Sequence, residues 1–226
     1  MDRIAQAIDE LERLARPGVA EGMARYGIAT ADRVVGVRIG DIRALAKRMG
    51  RDQPLAEALW GAGIYEARLL ACFVADPKAM TPELMDRWTG DFDNWATCDT
   101  ACFHLFDKTP YALAKVREWA QREEEFVRRA GYVLLASLAI HAKKLGDREL
   151  AAFLPLIDEA ADDARNFVKK GVSWALRALG HRRGLHEEAV ALAEILAASR
   201  EPTRRWIGKD ALRDLRRSLV ARKLGL

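Results

Sequence analysis

The residues best suited to chemistry lie in one short stretch, Asp93-Asn94-Trp95-Ala96-Thr97-Cys98-Asp99. Trp95 and Asp99 are four apart, so on a helix they share one face at a separation of about 6 Å. An indole face attracts cations, and a carboxylate stabilises positive charge or takes up a proton. The pair therefore suits a substrate that is cationic or becomes so in its transition state. Each residue also has a plainer role open to it. Large aromatics in helices usually pack, and Asp99 could be a buried acid paired with an arginine. Cys98 lies between them without a paired base and is not proposed as a nucleophile. His104, His141, His181 and His186 show no triad or metal spacing. Cys72, Cys98 and Cys102 are odd in number, form no C-x-x-C pair and read as small buried thiols in a reducing compartment.

Helices have to position these side chains, because helical periodicity runs through nearly the whole chain. Ile4, Ala7, Ile8, Leu11 and Leu14 form one apolar stripe, ended by Pro17-Gly18. A short helix follows to Tyr26-Gly27. Residues 28–40 are the longest non-helical candidate, with Val34–Val37 extended and Gly40-Asp41 capping the next helix, which ends at Gly50. Helices are expected over 54–60, 65–74 and 82–88, the last started by Thr81-Pro82. Asp93 or Asn94 caps the helix carrying Trp95 and Asp99, which is expected to continue through Phe103 and Phe106. Thr109-Pro110 starts another, through Val116 and Trp119. Further helices are expected over 124–143, 147–158 (capped by Asp147), 164–179, 187–196 and 202–222. No alternating run marks a sheet. The expectation is one all-α domain over 1–226. Paired helices recurring at a period of roughly 40 suggest HEAT-like repeats stacked into a curved solenoid.

Half the residues are apolar and 31% are charged, as in globular proteins. No apolar run approaches the ~20 residues of a membrane span, and the first residues lack the layout of a signal peptide. A cytoplasmic protein is expected. The net charge of +4 is unevenly spread: from Asp163 onward, fifteen Lys and Arg stand against seven Asp and Glu. That is the electrostatic footprint of a polyanion partner, or else a solvated helical surface. Three segments share a pattern: Tyr65-Glu66-Ala67-Arg68, Phe126-Val127-Arg128-Arg129 and Phe167-Val168-Lys169-Lys170. In stacked repeats, Arg68, Arg129 and Lys170 would form a cationic ridge along a basic concave groove, suited to a phosphate backbone. Otherwise each base pairs with a neighbouring acid, as Glu66 and Glu125 allow.

Trp95-x-x-x-Asp99, Phe126-Val127-Arg128-Arg129-Ala130 and Phe167 to Arg177, with Tyr26-Gly27-Ile28 and Gly36 to Arg43, resemble the AlkD-type DNA alkylation repair glycosylases over most of the chain and in the same order. The resemblance implies HEAT-like repeats holding duplex DNA in a basic groove. It also implies hydrolysis of the N-glycosidic bond of cationic alkylpurines such as 3-methyladenine and 7-methylguanine. It places the family's carboxylate at Asp99, its two tryptophans at Trp95 and Trp174, and its arginine at Arg129, with Arg128 one position away. Arg68, Arg128, Lys169, Lys170, Arg177, Lys209 and Arg213 are the expected DNA contacts. No metal or organic cofactor, no membrane and no obligate protein partner are implied, and a monomer is expected. In the family's type member the lesion is not drawn into a deep pocket. Two features depart from the family. Ala96 stands where many relatives carry an acid, and the region before Tyr26 is short. A non-catalytic DNA binder of the same family and a protein-interaction scaffold are the alternative functions.

Overall fold

The computed structural model describes residues 2–218, 220, 224 and 225. Among these the fold is all-α, with no strand and a single isolated bridge between Arg33 and Ile64. No described helix is long and apolar enough to cross a membrane. The chain forms two compact units that meet in sequence between Tyr111 and Ala112.

The first unit holds α1 (Arg3–Arg13), α2 (Val19–Met23), α3 (Ile39–Met49), α4 (Gln53–Trp60), α5 (Tyr65–Val74), α6 (Pro82–Gly90) and α7 (Trp95–His104). Local chemistry starts several of these helices. The side chains of Asp52, Thr81 and Asn94 accept the main-chain N–H of Leu55, Leu84 and Thr97, and proline occupies the first turn of α4 and α6. Trp60 and Trp88 are buried and stack with centroids 4.1 Å apart, and Phe92 meets Trp60 edge-on. Cys72, Cys98 and Cys102 are all buried, and burial pushes the Cys72 and Cys102 thiols up.

The second unit holds α8 (Ala112–Trp119), α9 (Glu125–His141), α10 (Asp147–Ala151), α11 (Leu154–Glu159), α12 (Asn166–Gly180), α13 (His186–Ala198) and α14 (Pro202–Leu215). Its repeat character shows in how three helices register. Phe126 meets Phe167 with centroids 5.2 Å apart, and Gly171 lies against Arg129 and Tyr132. Lys169 then meets Trp206, Ser173 meets Asp210 and His181 meets Asp214. The numbers climb together, so α9, α12 and α14 run in the same direction, as equivalent helices of successive repeats do.

Several helix ends differ from those expected of the sequence. Helix α3 starts at Ile39, so Asp41 sits in its first turn and Arg38 is the cap residue. Helix α7 stops at His104, and Phe106–Lys108 form a 3₁₀ turn. The Thr109 hydroxyl donates back to the Phe106 carbonyl at 2.8 Å instead of capping α8, which begins at Ala112. The helix expected over 147–158 is broken into α10 and α11. Pro155 offers no N–H and its ring would clash with the carbonyl four residues back. The end expected near Arg222, with Arg222 and Lys223 themselves, lies outside the described residues.

Helices α13 and α14 approach at Gly208, where a Cβ would lie 2.2 Å from the Ala197 nitrogen and 2.5 Å from the Ala193 oxygen. Alanine favours a helix over glycine by about 1 kcal/mol, yet main-chain atoms cannot move aside. Gly208→Ala is therefore expected to destabilise the protein by about 1–3 kcal/mol. Thermal unfolding should show a midpoint several degrees lower; an unchanged or raised midpoint contradicts the close approach.

Candidate nucleic-acid interface

In the first unit, Trp95, Ala96 and Asp99 line a cleft of about 960 Å³ together with Tyr26, Arg38 and Tyr65. Asn94 sets the start of α7 and thereby the face that Trp95 and Asp99 present. Its Oδ1 takes the Thr97 N–H at 3.0 Å. Trp95 is half-buried, and its indole N–H donates to the Tyr26 carbonyl at 2.9 Å. The indole is thus fixed at its polar edge, leaving its apolar faces for packing or ligand.

Ile28, Val37 and Arg38 of the non-helical segment 27–38 also line the cleft, and this segment is pinned along its length. Asp93 accepts the Ala31 N–H at 2.8 Å. Arg33 exchanges main-chain hydrogen bonds with Gly63 and Tyr65, both at 3.0 Å. The buried carboxylate of Glu66 accepts three successive N–H groups, from Val35 (2.9 Å), Gly36 (2.7 Å) and Val37 (3.2 Å). Gly36 takes a positive φ of 93° and its carbonyl accepts the Arg16 N–H at 2.9 Å, a backbone state that side-chain-bearing residues rarely adopt. Burial pushes the Tyr65 phenol up, with Glu66 and Asp93 adding to the effect, so Tyr65 lines the cleft as a neutral hydroxyl.

The expected DNA contacts have unlike environments. Arg68 lies 2.8 Å from Asp32 and donates to the Asp91 carbonyl at 2.8 Å, with its guanidinium over the Trp60 ring. Its Nε–H is not aligned on the Asp32 oxygen, so that contact is ionic rather than a directed hydrogen bond. Burial pushes the Asp32 carboxyl up, partly offset by Arg68 and reinforced by Asp93 and Asp91. In the second unit Arg129 is buried and donates to the Phe167 carbonyl at 2.7 Å. Arg128 is half-buried and lies 3.5 Å from Asp163. Trp174 is half-buried on α12, one turn beyond the point where Gly171 meets Arg129. Lys170 and Lys209 are exposed, and no ion pair is formed by either among the described residues. Arg177 and Arg213 both engage Asp210, which also takes the Ser173 hydroxyl at 2.7 Å. Glu66 and Glu125 do not take up the neighbouring bases; both accept main-chain N–H groups, Glu125 that of Phe167 at 3.3 Å. Among the described residues no three His, Cys, Asp or Glu side chains converge as metal donors.

Fold and side chains together define a HEAT-like helical-repeat protein with an aromatic–carboxylate cleft in one unit and a basic helical seam in the other. The family model described as DNA alkylation repair enzyme matches residues 7–215, and the chain belongs to that family. A solved structure described as "a new family of proteins related to the HEAT-like repeat DNA glycosylases with affinity for branched DNA structures" is similar in fold. It has a TM-score of 0.78 at 22% identity over 94% of this chain and 95% of that chain. A search of curated proteins found no match.

Glu66→Gln keeps the size of the side chain but turns one acceptor oxygen into a donor, which must face an N–H. Hydrogen bonds to a buried charge contribute about 1.5–3 kcal/mol each. Hydrogen exchange at Val35, Gly36 and Val37 is expected to accelerate at least tenfold while exchange in α9 is unchanged; unaltered protection at 35–37 refutes the anchoring role. Burial pushes the Asp163 carboxyl up, but hydrogen bonds from the Arg165 side chain and N–H, with the charges of Arg165 and Arg128, outweigh it and hold it below its ordinary 3.8. A depressed carboxylate contributes stability above its unfolded pKa and loses it as pH falls through the folded value. Wild type should therefore lose stability relative to Asp163→Asn on acidification below about pH 4. Parallel stability curves for the two proteins through that range count against this ion-pair network.

Proposed function

We propose that this protein is a monomeric cytoplasmic DNA glycosylase that hydrolyses the N-glycosidic bond of cationic alkylpurines in duplex DNA. One observation carries the reading: Trp95 and Asp99 line the same cleft, with the indole held by its N–H. An N3- or N7-alkylated purine already bears positive charge. The electrons of the C1′–N bond leave with the base, which departs neutral without a strong general acid. Positive charge then develops on the sugar as an oxocarbenium ion. Asp99 stabilises that ion and orients the water whose oxygen bonds to C1′. Trp95 supplies a π-face to the cationic base or sugar. Trp174 and Arg129, on the second unit, have the roles that the family resemblance implies, a further π-face and a phosphate anchor. Arg128 is the more exposed alternative anchor.

Arg68, Lys169, Lys170, Arg177, Lys209 and Arg213 are the proposed backbone contacts, with the exposed Lys170 and Lys209 contributing most. A second reading, a DNA binder without glycosylase activity, is favoured by the affinity for branched DNA ascribed to the structurally similar protein. Base release from globally methylated duplex DNA separates the two. Asp99→Asn is expected to keep salt-dependent DNA binding and to lower release of 7-methylguanine by about 10²-fold or more. Full activity in that variant overturns the carboxylate mechanism, and no release by wild type favours the binder.

A further inference from the structure

The chain has six tryptophans, and they divide by environment. Trp60, Trp88 and Trp119 are buried, Trp95 and Trp174 are half-buried, and Trp206 alone is exposed, at 38%. An indole left in water forgoes the stabilisation that burial gives, so its surroundings are informative. Lys169 of α12 places its ammonium 5.1 Å from the Trp206 ring centroid. Lys209 follows three residues later on α14, which puts it on the same face, and Lys170 adjoins Lys169. The nearest acid along α14, Asp210, is already engaged by Ser173, Arg177 and Arg213. The ring thus has Lys169 against it and Lys209 on its own helix face, neither in an ion pair among the described residues.

We propose that Trp206, with Lys169 and Lys209, is a stacking platform for an unpaired nucleotide, so that this unit binds single-stranded segments adjoining a duplex. Lys169 holds its ammonium over the ring; in the proposed complex it swings to the phosphate beside the stacked base, and the indole face it leaves receives the base. A base inside a duplex is stacked on both sides and offers the ring nothing. An unpaired base offers a π-face whatever its identity, and aromatic rings in basic grooves bind single strands in this way. The inference rests on the nucleic-acid reading given above but not on glycosylase activity.

The test is fluorescence anisotropy at low salt with a blunt duplex, and with the same duplex bearing an oligo-dT tail of about ten nucleotides. Wild type is expected to prefer the tailed duplex. Trp206→Ala should erase that preference, weakening binding of the tailed substrate by roughly 5- to 150-fold while leaving the blunt duplex within about twofold. Trp206→Phe should retain most of the preference. Trp206→Leu keeps an apolar side chain without a ring and should behave as alanine does; it also carries the test should the alanine variant fail to fold. A preference that survives both Trp206→Ala and Trp206→Leu, or equal losses on both substrates, overturns the platform. So does a wild type with no preference. A wild type that binds neither substrate removes the nucleic-acid reading itself.

Discussion

The cleft of the first unit depends on one buried carboxylate. Glu66 sits at the start of α5, and its two oxygens take three consecutive N–H groups from residues 35–37. Those N–H groups belong to a segment with no helix or sheet to satisfy them, so without Glu66 they would be buried donors lacking partners. The same contact fixes where the segment runs, and hence where Val37 and Arg38 meet the cleft. Asp93, one residue before the α7 cap, performs a similar service at Ala31. Acids near the starts of two helices therefore hold the chain that lines the cleft with Trp95 and Asp99.

Much of the helical framework was legible because its signals are local. Thr81 and Asn94 start helices with their own side chains, and Trp60, Trp88 and Trp119 are buried, as large aromatics in helices usually are. Residues 28–38 were recognisable as non-helical, but their path was not. It is set by partners some 30 to 60 residues away, such as Glu66 and Asp93, which carry no local signature. In sequence Glu66 reads as an acid open to pairing with a neighbouring base, because charge alone does not reveal that main-chain donors will claim it. Trp206 was missed for a related reason. An aromatic within a helix usually packs, and only the cations around it (Arg204, Arg205 and Lys209 in sequence) hinted otherwise.

Charge counts are equally incomplete guides to a polyanion surface. From Asp163 onward the excess of bases is real, yet many are structurally occupied. Arg165 pairs with Asp163, Arg182 with Asp147, and Arg204 with Asp158 and Asp162. Arg205 donates to the Ser199 and Arg200 carbonyls at the end of α13. Repeat-equivalent positions follow the same rule. Arg68 is held by Asp32 and the Asp91 carbonyl, Arg129 is buried against Phe167, and Lys170 stands in solvent. Arginine's fixed fork suits it to buried, multidentate contacts, whereas lysine is more readily left as a solvated point charge. The lysines of α12 and α14 are therefore better candidates for phosphate contacts than the arginines that outnumber them.

The same accounting applies inside the cleft. Three carboxylates line it: Asp41, Glu66 and Asp99. Asp41 pairs with Arg16 at 2.9 Å and Glu66 is claimed by main-chain donors. Asp99 shares the α7 face of Trp95, the aromatic whose polar edge is held by the Tyr26 carbonyl. Ala96 also lines the cleft. An acid there would add a second negative group next to the indole and strengthen the pull on any cation. With alanine, the pull on a cation in the proposed reaction rests on Asp99 and the π-face of Trp95. On the proposed reading such a cleft attracts small free cations less and relies more on the rest of the DNA substrate to bring the charged group in.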